Sequence, residues 1–572
     1  MDRVSDSRIS CCRLIVVAII AAIASLGARP VYAATLTVTN TNDSGAGSLR
    51  DAMTVANSDS GDTINFNIPG AGPFTITLAS TLPAVASSMT ISGPVSSPPR
   101  IIVDGNQAVQ LMLVNAGATL SLKYLTLSNG KLLGQPGDQS GAAIFNQGAL
   151  NIANCTFSGN VASGGSDAAS SVLGGAISSF GPSVSLTVVN STFTNNQAAG
   201  FNSAVGGAGF ALGGAIGGTG FVSISGSTFL NNQALGGTAL RAGQPGGSAV
   251  GGGIFTSGGQ STAIVNSTFF GNQATGGAGN GGDGESLGSA ISIEGGPGTI
   301  TSSTLMGNVV NGPRPFGGAL DAEGIPVTLK STILAANAPS DCFGNATDGG
   351  YNVADDNSCS FTMGTSQVAS ASAIGVASVP ADNGGPTKTI ALAPGGLAVD
   401  AIPLADCTDQ SSPTPQPIVT DQRGLPRPDS GDNPPVCDIG AYELQDSVAF
   451  AKFAVQAAIY QPDDFLVRGT FTPASSSMID PLTQAVTVTV GAASPVTIPA
   501  GSFKKSTKGV YVFSGTVGGV LVAAAITPLA KNAYGFLIAG DGLNLAGIIN
   551  PVTVMLQIGN ATGSQKIKAL IF

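Results

Sequence analysis

The residues best placed to do chemistry in this 572-residue chain are three carboxylic acids, Glu294, Asp321 and Glu323. Glu294 and Glu323 each lie three residues after an aliphatic residue, Ile291 and Leu320, that recurs through the middle of the chain. Two acids at the same place in successive turns of a stacked repeat fall next to each other, and carboxyls about 5 Å apart suit a retaining glycosidase. Asp321 falls close by. The same place in earlier copies holds Gln147, Phe180, Thr219 and Ser257, so no carboxylate-lined cleft runs along the repeat. The chain has no histidine to act as a base. Cys155 stands where other copies have Ser191, Ser227, Ser267, Ser303 and Ser331, which marks it as a small buried residue rather than a nucleophile.

The repeat that positions these acids is sixfold and spans residues 141–337. Its isoleucine returns as Ile144, Ile177, Ile216, Ile254 and Ile291, with Leu320 last. A Thr-Phe pair returns with Phe157, Phe193, Phe229 and Phe269, then fades to Thr304-Leu305 and Thr332-Ile333. Three residues later come Asn160, Asn196, Asn232, Asn272 and Asn308, with Asn337 one residue out of step. Repeats at this spacing indicate a solenoid. Short alternating runs such as 185–189 and 219–225, punctuated by glycine and Asn-Asn, are β-type, and nothing carries a helical period. The shared part of a copy is about the length of one coil of three short strands. In a parallel β-helix each strand pairs with its equivalent ~4.8 Å away, so phenylalanines stack inside and asparagine amides form a ladder.

Segments such as G174-G-A-I followed by S191-T-F-T-N-N-Q-A resemble the right-handed parallel β-helix (pectate-lyase-like) superfamily, and most of all the repeat of polymorphic outer-membrane-type surface proteins. The resemblance implies an all-β fold, a right-handed parallel β-helix. Many such proteins are polysaccharide lyases or glycosidases that use acidic clusters, a basic residue or calcium on one sheet face. Calcium is therefore possible here, although no ligand set indicates a metal. Residues 163–173, 200–212, 236–250 and 275–287 all fall at one point of the copy. They should emerge as stacked loops along one edge, with Asp167, Arg241, Asp283 and Glu285 nearly their only ionisable groups.

The flanks frame this repeat. Residues 1–33 combine arginines, an apolar run at 14–26 and Val31-Tyr32-Ala33, the pattern of a cleaved secretory signal. Residues 34–330 then form the solenoid, opening with strands at 64–68, 74–78, 89–92, 101–103 and 120–127. The stretch 47–57 resembles the N-terminal cap of secreted bacterial β-helices, with a short helix over 48–57 and Arg50 in a cap salt bridge. Residues 331–444, with D382-N-G-G-P-T, D421-Q-R-G-L-P-R and C437-D-I-G-A-Y-E, resemble the choice-of-anchor module of bacterial surface proteins. That likeness implies closure of the solenoid's C-terminal end and a surface location. Asp421, Arg423, Arg427, Asp438 and Glu443 are expected to form an ion-pair network fixing the cap. In an exported protein the economical pairing is Cys342–Cys359 and Cys407–Cys437, though sequence alone permits others. Residues 446–572 form a separate β-sandwich-like unit with strands at 465–471, 485–490, 510–514, 520–526, 534–538, 552–558 and 567–571.

Charge narrows the partners. Without residues 1–33 the chain keeps 18 basic and 30 acidic residues, which argues against nucleic acid. No later apolar run is long enough to span a bilayer. The expected protein is a secreted or cell-surface, non-catalytic scaffold that binds carbohydrate or a partner protein through its repeated face. The alternative is a polysaccharide lyase or glycoside hydrolase.

Overall fold

The computed structural model describes residues 33–572 apart from 97, 134–138, 166–170, 412–413, 430–433, 446–447 and 475–478. The apolar run at 14–26, with the signal it implies, and Asp167 lie outside the described residues. Across the repeat, equivalent residues pair in parallel and in register: Ile144 with Ile177, then Ile216, Ile254, Ile291 and Leu320. The result is all-β, with stacked parallel sheets consistent with a parallel β-helix.

A coil holds more strands than the sequence suggests. In one copy, Ile177–Ser179 and Ser185–Val189 belong to a 17-stranded sheet and Thr192–Thr194 to an 11-stranded sheet. Gln197–Ala199 and Ala211–Leu212 then belong to two further six-stranded sheets. The main core lies between the two large sheets. Phe157, Phe193, Phe229 and Phe269 are fully buried there and stack with ring centroids 4.6–4.8 Å apart. The two small sheets enclose a second, narrower core made mostly of alanines, including Ala162, Ala198, Ala234 and Ala274.

Strands as short as Ala211–Leu212 carry no readable period, which is why the expected three-strand coil needs correcting: the end of each expected stacked loop is itself a paired strand. The inserts are layered. Gly200 N–H donates to Leu235 O at 2.7 Å, Ser203 N–H to Thr238 O at 2.8 Å and Gly237 N–H to Gly209 O at 2.9 Å. A Cβ on Gly237 would lie 1.9 Å from Phe201 O, and one on Gly247 1.9 Å from Gly209 O. Glycine is needed there because backbone packs directly on backbone.

Two other expectations shift. The run at 120–127 divides into Thr119–Lys123 and Leu125–Ser128, because Tyr124 turns the corner at φ 53°. In the sixth copy Thr304 pairs with Ile333 and Leu305 with Leu334, so Leu334 takes the phenylalanine position. Asn337 is therefore in step and accepts from the Asn308 amide at 3.0 Å. Thr332, not Ser331, takes the serine position, its hydroxyl donating to Lys330 O at 2.9 Å as Ser303 donates to Thr301 O.

At the N-terminal end the helix Leu49–Ala56, capped by Ser48, buries Leu49, Ala52, Met53 and Ala56 against the core. Arg50 pairs with Asp43 at 2.6 Å and donates to Ser80 O and Thr81 O, each at 2.7 Å. At the other end the Cys342–Cys359 disulfide and partly buried Phe361 close the same core.

The segment that follows does not simply cap the end. It doubles back along the outer face of the 11-stranded sheet. Thr387 Oγ1 donates to Gly226 O at 2.9 Å, Thr228 Oγ1 to Lys388 O at 2.6 Å, and Ala441 N–H to Thr304 Oγ1 at 3.1 Å. Met306 and Ile333 join Ile390, Leu392, Ile402 and Ile439 in a core of their own.

Residues 448–572 form a seven-stranded and a five-stranded sheet, largely antiparallel and sharing one core, the pairing expected of a sandwich. Lys452–Tyr460 is a nine-residue strand absent from the sequence expectation. The run expected at 567–571 is instead the end of Ala561–Ile567 followed by Leu570–Ile571.

Phe229→Ala in the middle of the stack should destabilise the repeat by ~3–5 kcal/mol through the cavity it leaves. Chemical denaturation should show an earlier midpoint, and a change below ~0.5 kcal/mol would mean that the ring does not fill the core.

Candidate functional site

The three acids are brought together by strand pairing. Ser292 pairs with Asp321 across neighbouring coils, so Glu294 and Glu323 come two residues further along adjacent chains. Asp321 is wholly buried; Ser292 Oγ donates to it at 2.8 Å and the Glu323 N–H at 3.2 Å. The same outward row holds Phe255 two coils earlier and Phe343 one coil later, packed against Leu173, Val250 and Leu287. Asp321 thus interrupts an apolar seam. Glu294 and Glu323 lie at its exposed rim.

The Glu294 carboxyl is pushed up to about 7, first because the protein around it displaces water and then by the charges of Asp321 and Glu323. Burial likewise raises Asp321, with the Ser292 hydrogen bond opposing. One acid held protonated near neutrality beside other carboxyls is the arrangement that general-acid chemistry needs. Among the described residues, no three Asp, Glu, Cys or His side chains converge to hold a metal ion.

The asparagines form a buried ladder. The Nδ2 groups of Asn160, Asn196, Asn232 and Asn272 each donate to the Oδ1 of the next asparagine at 2.9 Å, and Asn308 continues the row by donating to Asn337 at 3.0 Å. Each amide is consumed by its neighbours, so the row is structural. The outward rows differ. Ser121, Asn151, Thr187 and Ser223 stand in register on one sheet, and Gln197, Gln233 and Gln273 on another. Gln197 Nε2 donates to Gln233 Oε1 at 2.9 Å.

The charged residues of 421–443 lie within the flank segment. Arg423 pairs with Asp421 at 2.7 Å and Arg427 with Glu443 at 2.9 Å, all buried. The Asp438 carboxylate accepts from the Asp400 N–H at 2.7 Å, and Glu443 accepts from the Asp438 N–H at 3.0 Å. Arg423 also lies 3.6 Å over the Tyr442 ring. Burial pushes the carboxyls of Asp438 and Glu443 up while Arg427 pulls both down. Cys407–Cys437 is formed in the same segment, and Cys155 stays free and buried.

Sequence reasoning missed the contact that docks this segment, Gln422 on the threonines. Gln422 Nε2 donates to Thr228 Oγ1 at 2.7 Å, and Thr268 Oγ1 donates to Gln422 Oε1 at 2.6 Å. The available signal was the threonine before each phenylalanine. Alternation turns it outward, where a repeated β-branched hydroxyl asks for a partner.

No protein-family model matches this chain, and no curated protein matches it. No helix of the described residues is long and apolar enough to cross a membrane.

Glu294 also gives the fold a pH slope. Its carboxyl rises from 4.5 to about 7 on folding, so between those values the folded chain holds the extra proton and this contribution to stability falls as pH rises. In Glu294→Gln the thermal midpoint should fall less between pH 5 and pH 8 than in the parent. An unchanged slope would place the carboxyl in ordinary solvent.

Proposed function

We propose that this protein is an exported, cell-surface scaffold that binds extended carbohydrate along its repeated face. The observation that carries the reading is the outward rows: uncharged hydrogen-bonding side chains such as Asn151, Thr187 and Ser223 recur in register from coil to coil. A chain molecule lying along such rows gains many weak contacts, and linked contacts raise avidity without any strong single site. The likeness to polymorphic outer-membrane-type repeats and to the choice-of-anchor module supports a surface setting. It also supports a right-handed, pectate-lyase-like coil, the hand that parallel crossovers take in almost all cases. The N-terminal signal pattern and the disulfides fit export. In this reading the protein comprises a signal over 1–33, the β-helix over 34–330, the last coils and anchor-like module over 331–444, and a sandwich over 446–572.

Deleting residues 213–250 removes one copy and joins Leu212 to Gly251, which suits the register because Leu212 already pairs with Val250. The shortened protein should keep its circular dichroism spectrum and bind immobilised polysaccharide several-fold more weakly. Unchanged binding would place the contacts elsewhere.

The raised Glu294 carboxyl favours a second reading, a glycoside hydrolase with Glu294 as acid and Glu323 as its carboxylate partner. Release of reducing sugar from a polysaccharide panel, abolished in Glu323→Gln with binding retained, would replace the scaffold reading with this one.

A further inference from the structure

The outer face of the seven-stranded sheet carries a shallow, open channel unrelated to the solenoid. Its register sets a raised row beside a low one. Gln456 pairs with Arg468, Arg468 with Leu537 and Leu537 with Ala525, giving the wall. Ala454 pairs with Thr470, Thr470 with Gly535 and Gly535 with Thr527, giving a floor of small residues. Together they border a cavity of about 610 Å³, with Gln565 at its edge. Four adjacent strands separated by ~4.8 Å make the channel about 14 Å long.

Its polar groups have a definite character. Arg50, Arg314, Arg423 and Arg427 each contact a carboxylate. Arg468 is in none of these ion pairs; its Nε donates to the neutral Gln456 Oε1 at 3.2 Å. That bond steadies the guanidinium on the wall and leaves its terminal nitrogens for a ligand, in a chain where acidic residues outnumber basic ones 32 to 22. Guanidinium forks match carboxylates in geometry as well as charge. The remaining lining offers the amide nitrogens of Gln456 and Gln565, whose oxygens accept from Arg468 and from the Val455 N–H, hydroxyls from Thr470 and Thr527, and apolar surface from Ala454, Val455, Ala525, Phe536 and Leu537. The channel crosses the middle of the sheet, where strand backbones are already paired, so a peptide could not add as a further strand.

We propose that this channel binds an acidic saccharide, a hexuronic-acid oligomer whose carboxylate pairs with Arg468 and whose hydroxyls meet the glutamines and threonines. The site is independent of the repeated face of the solenoid.

The test is calorimetric titration of the full chain with a hexuronic-acid trimer, a neutral hexose trimer of the same linkage and an acidic tripeptide. Two variants separate charge from shape. Arg468→Gln removes the cation at an exposed position. Gly535→Val fills the floor at a position where the added Cβ meets its nearest atom at 3.7 Å, and an unchanged circular dichroism spectrum and thermal midpoint would show the variant folded. The uronate should bind the parent protein, at least tenfold more tightly than the neutral trimer, and each variant should weaken it by tenfold or more. Failure of the parent to bind uronate, equal binding of the neutral trimer, preference for the peptide, or uronate binding unchanged in either variant would overturn the proposal.

Discussion

The carboxamide of Asn232 is fully buried, and its hydrogen bonds leave its own coil. Its oxygen accepts from the backbone and side chain of Asn196, and its nitrogen donates to Asn272 and to the carbonyl of Phe193. A coil on its own could not satisfy that amide, and each buried polar group left unpaired costs about 1–3 kcal/mol. The stack is therefore interdependent by chemistry as well as by packing. Serine links the coils by half of that rule: Ser227 gives its hydroxyl to Ser225 O in its own coil but receives the N–H of Ser191 from the neighbouring one, and Cys155 closes that series with a backbone N–H on Ser191. Everything laid on the outside, from the alanine core to the flank segment, presumes this spacing.

This rule explains what could be read in the sequence. Where a side chain's neighbour is its own counterpart one coil away, repetition itself reports the contact, so the stacked phenylalanines and the asparagine ladder are visible as letters. The flank segment obeys no such rule. Lys388 and Gln422 reach threonines 160 and 194 residues away, and nothing in either residue type names the other. The strands within the inserts escape for another reason: two residues cannot display an alternation. The slip in the sixth copy shows the limit of reading by likeness, since Thr332-Ile333 looks like the Thr-Phe pair while strand pairing selects Leu334.

The candidate acids were partly legible. Their equal distance from Ile291 and Leu320 gave the juxtaposition, because pairing keeps count along both chains. The depth of Asp321 was not legible. It depends on Phe255, Phe343 and the aliphatics opposite them, which come from strands the sequence hides in its glycine-rich inserts. A wholly buried acid in an apolar seam and two acids at its rim, one of them partly stripped of water, are chemically distinct groups, although the sequence presents them alike.

The doubled-back segment also has a mechanical meaning. The chain leaves the last paired strand of the stack at Gln367–Val368, runs along the flank past Thr228, Thr268 and Thr304, and only then continues from Leu444 into the C-terminal sheets. Tension applied through those sheets reaches the docked residues 437–443 before it reaches any terminal coil. There it meets buried ion pairs and a disulfide within the segment, and hydrogen bonds from the segment to several coils. A solenoid held at its end would peel coil by coil. This one meets the pull first on its flank, at Thr304, Thr268 and Thr228.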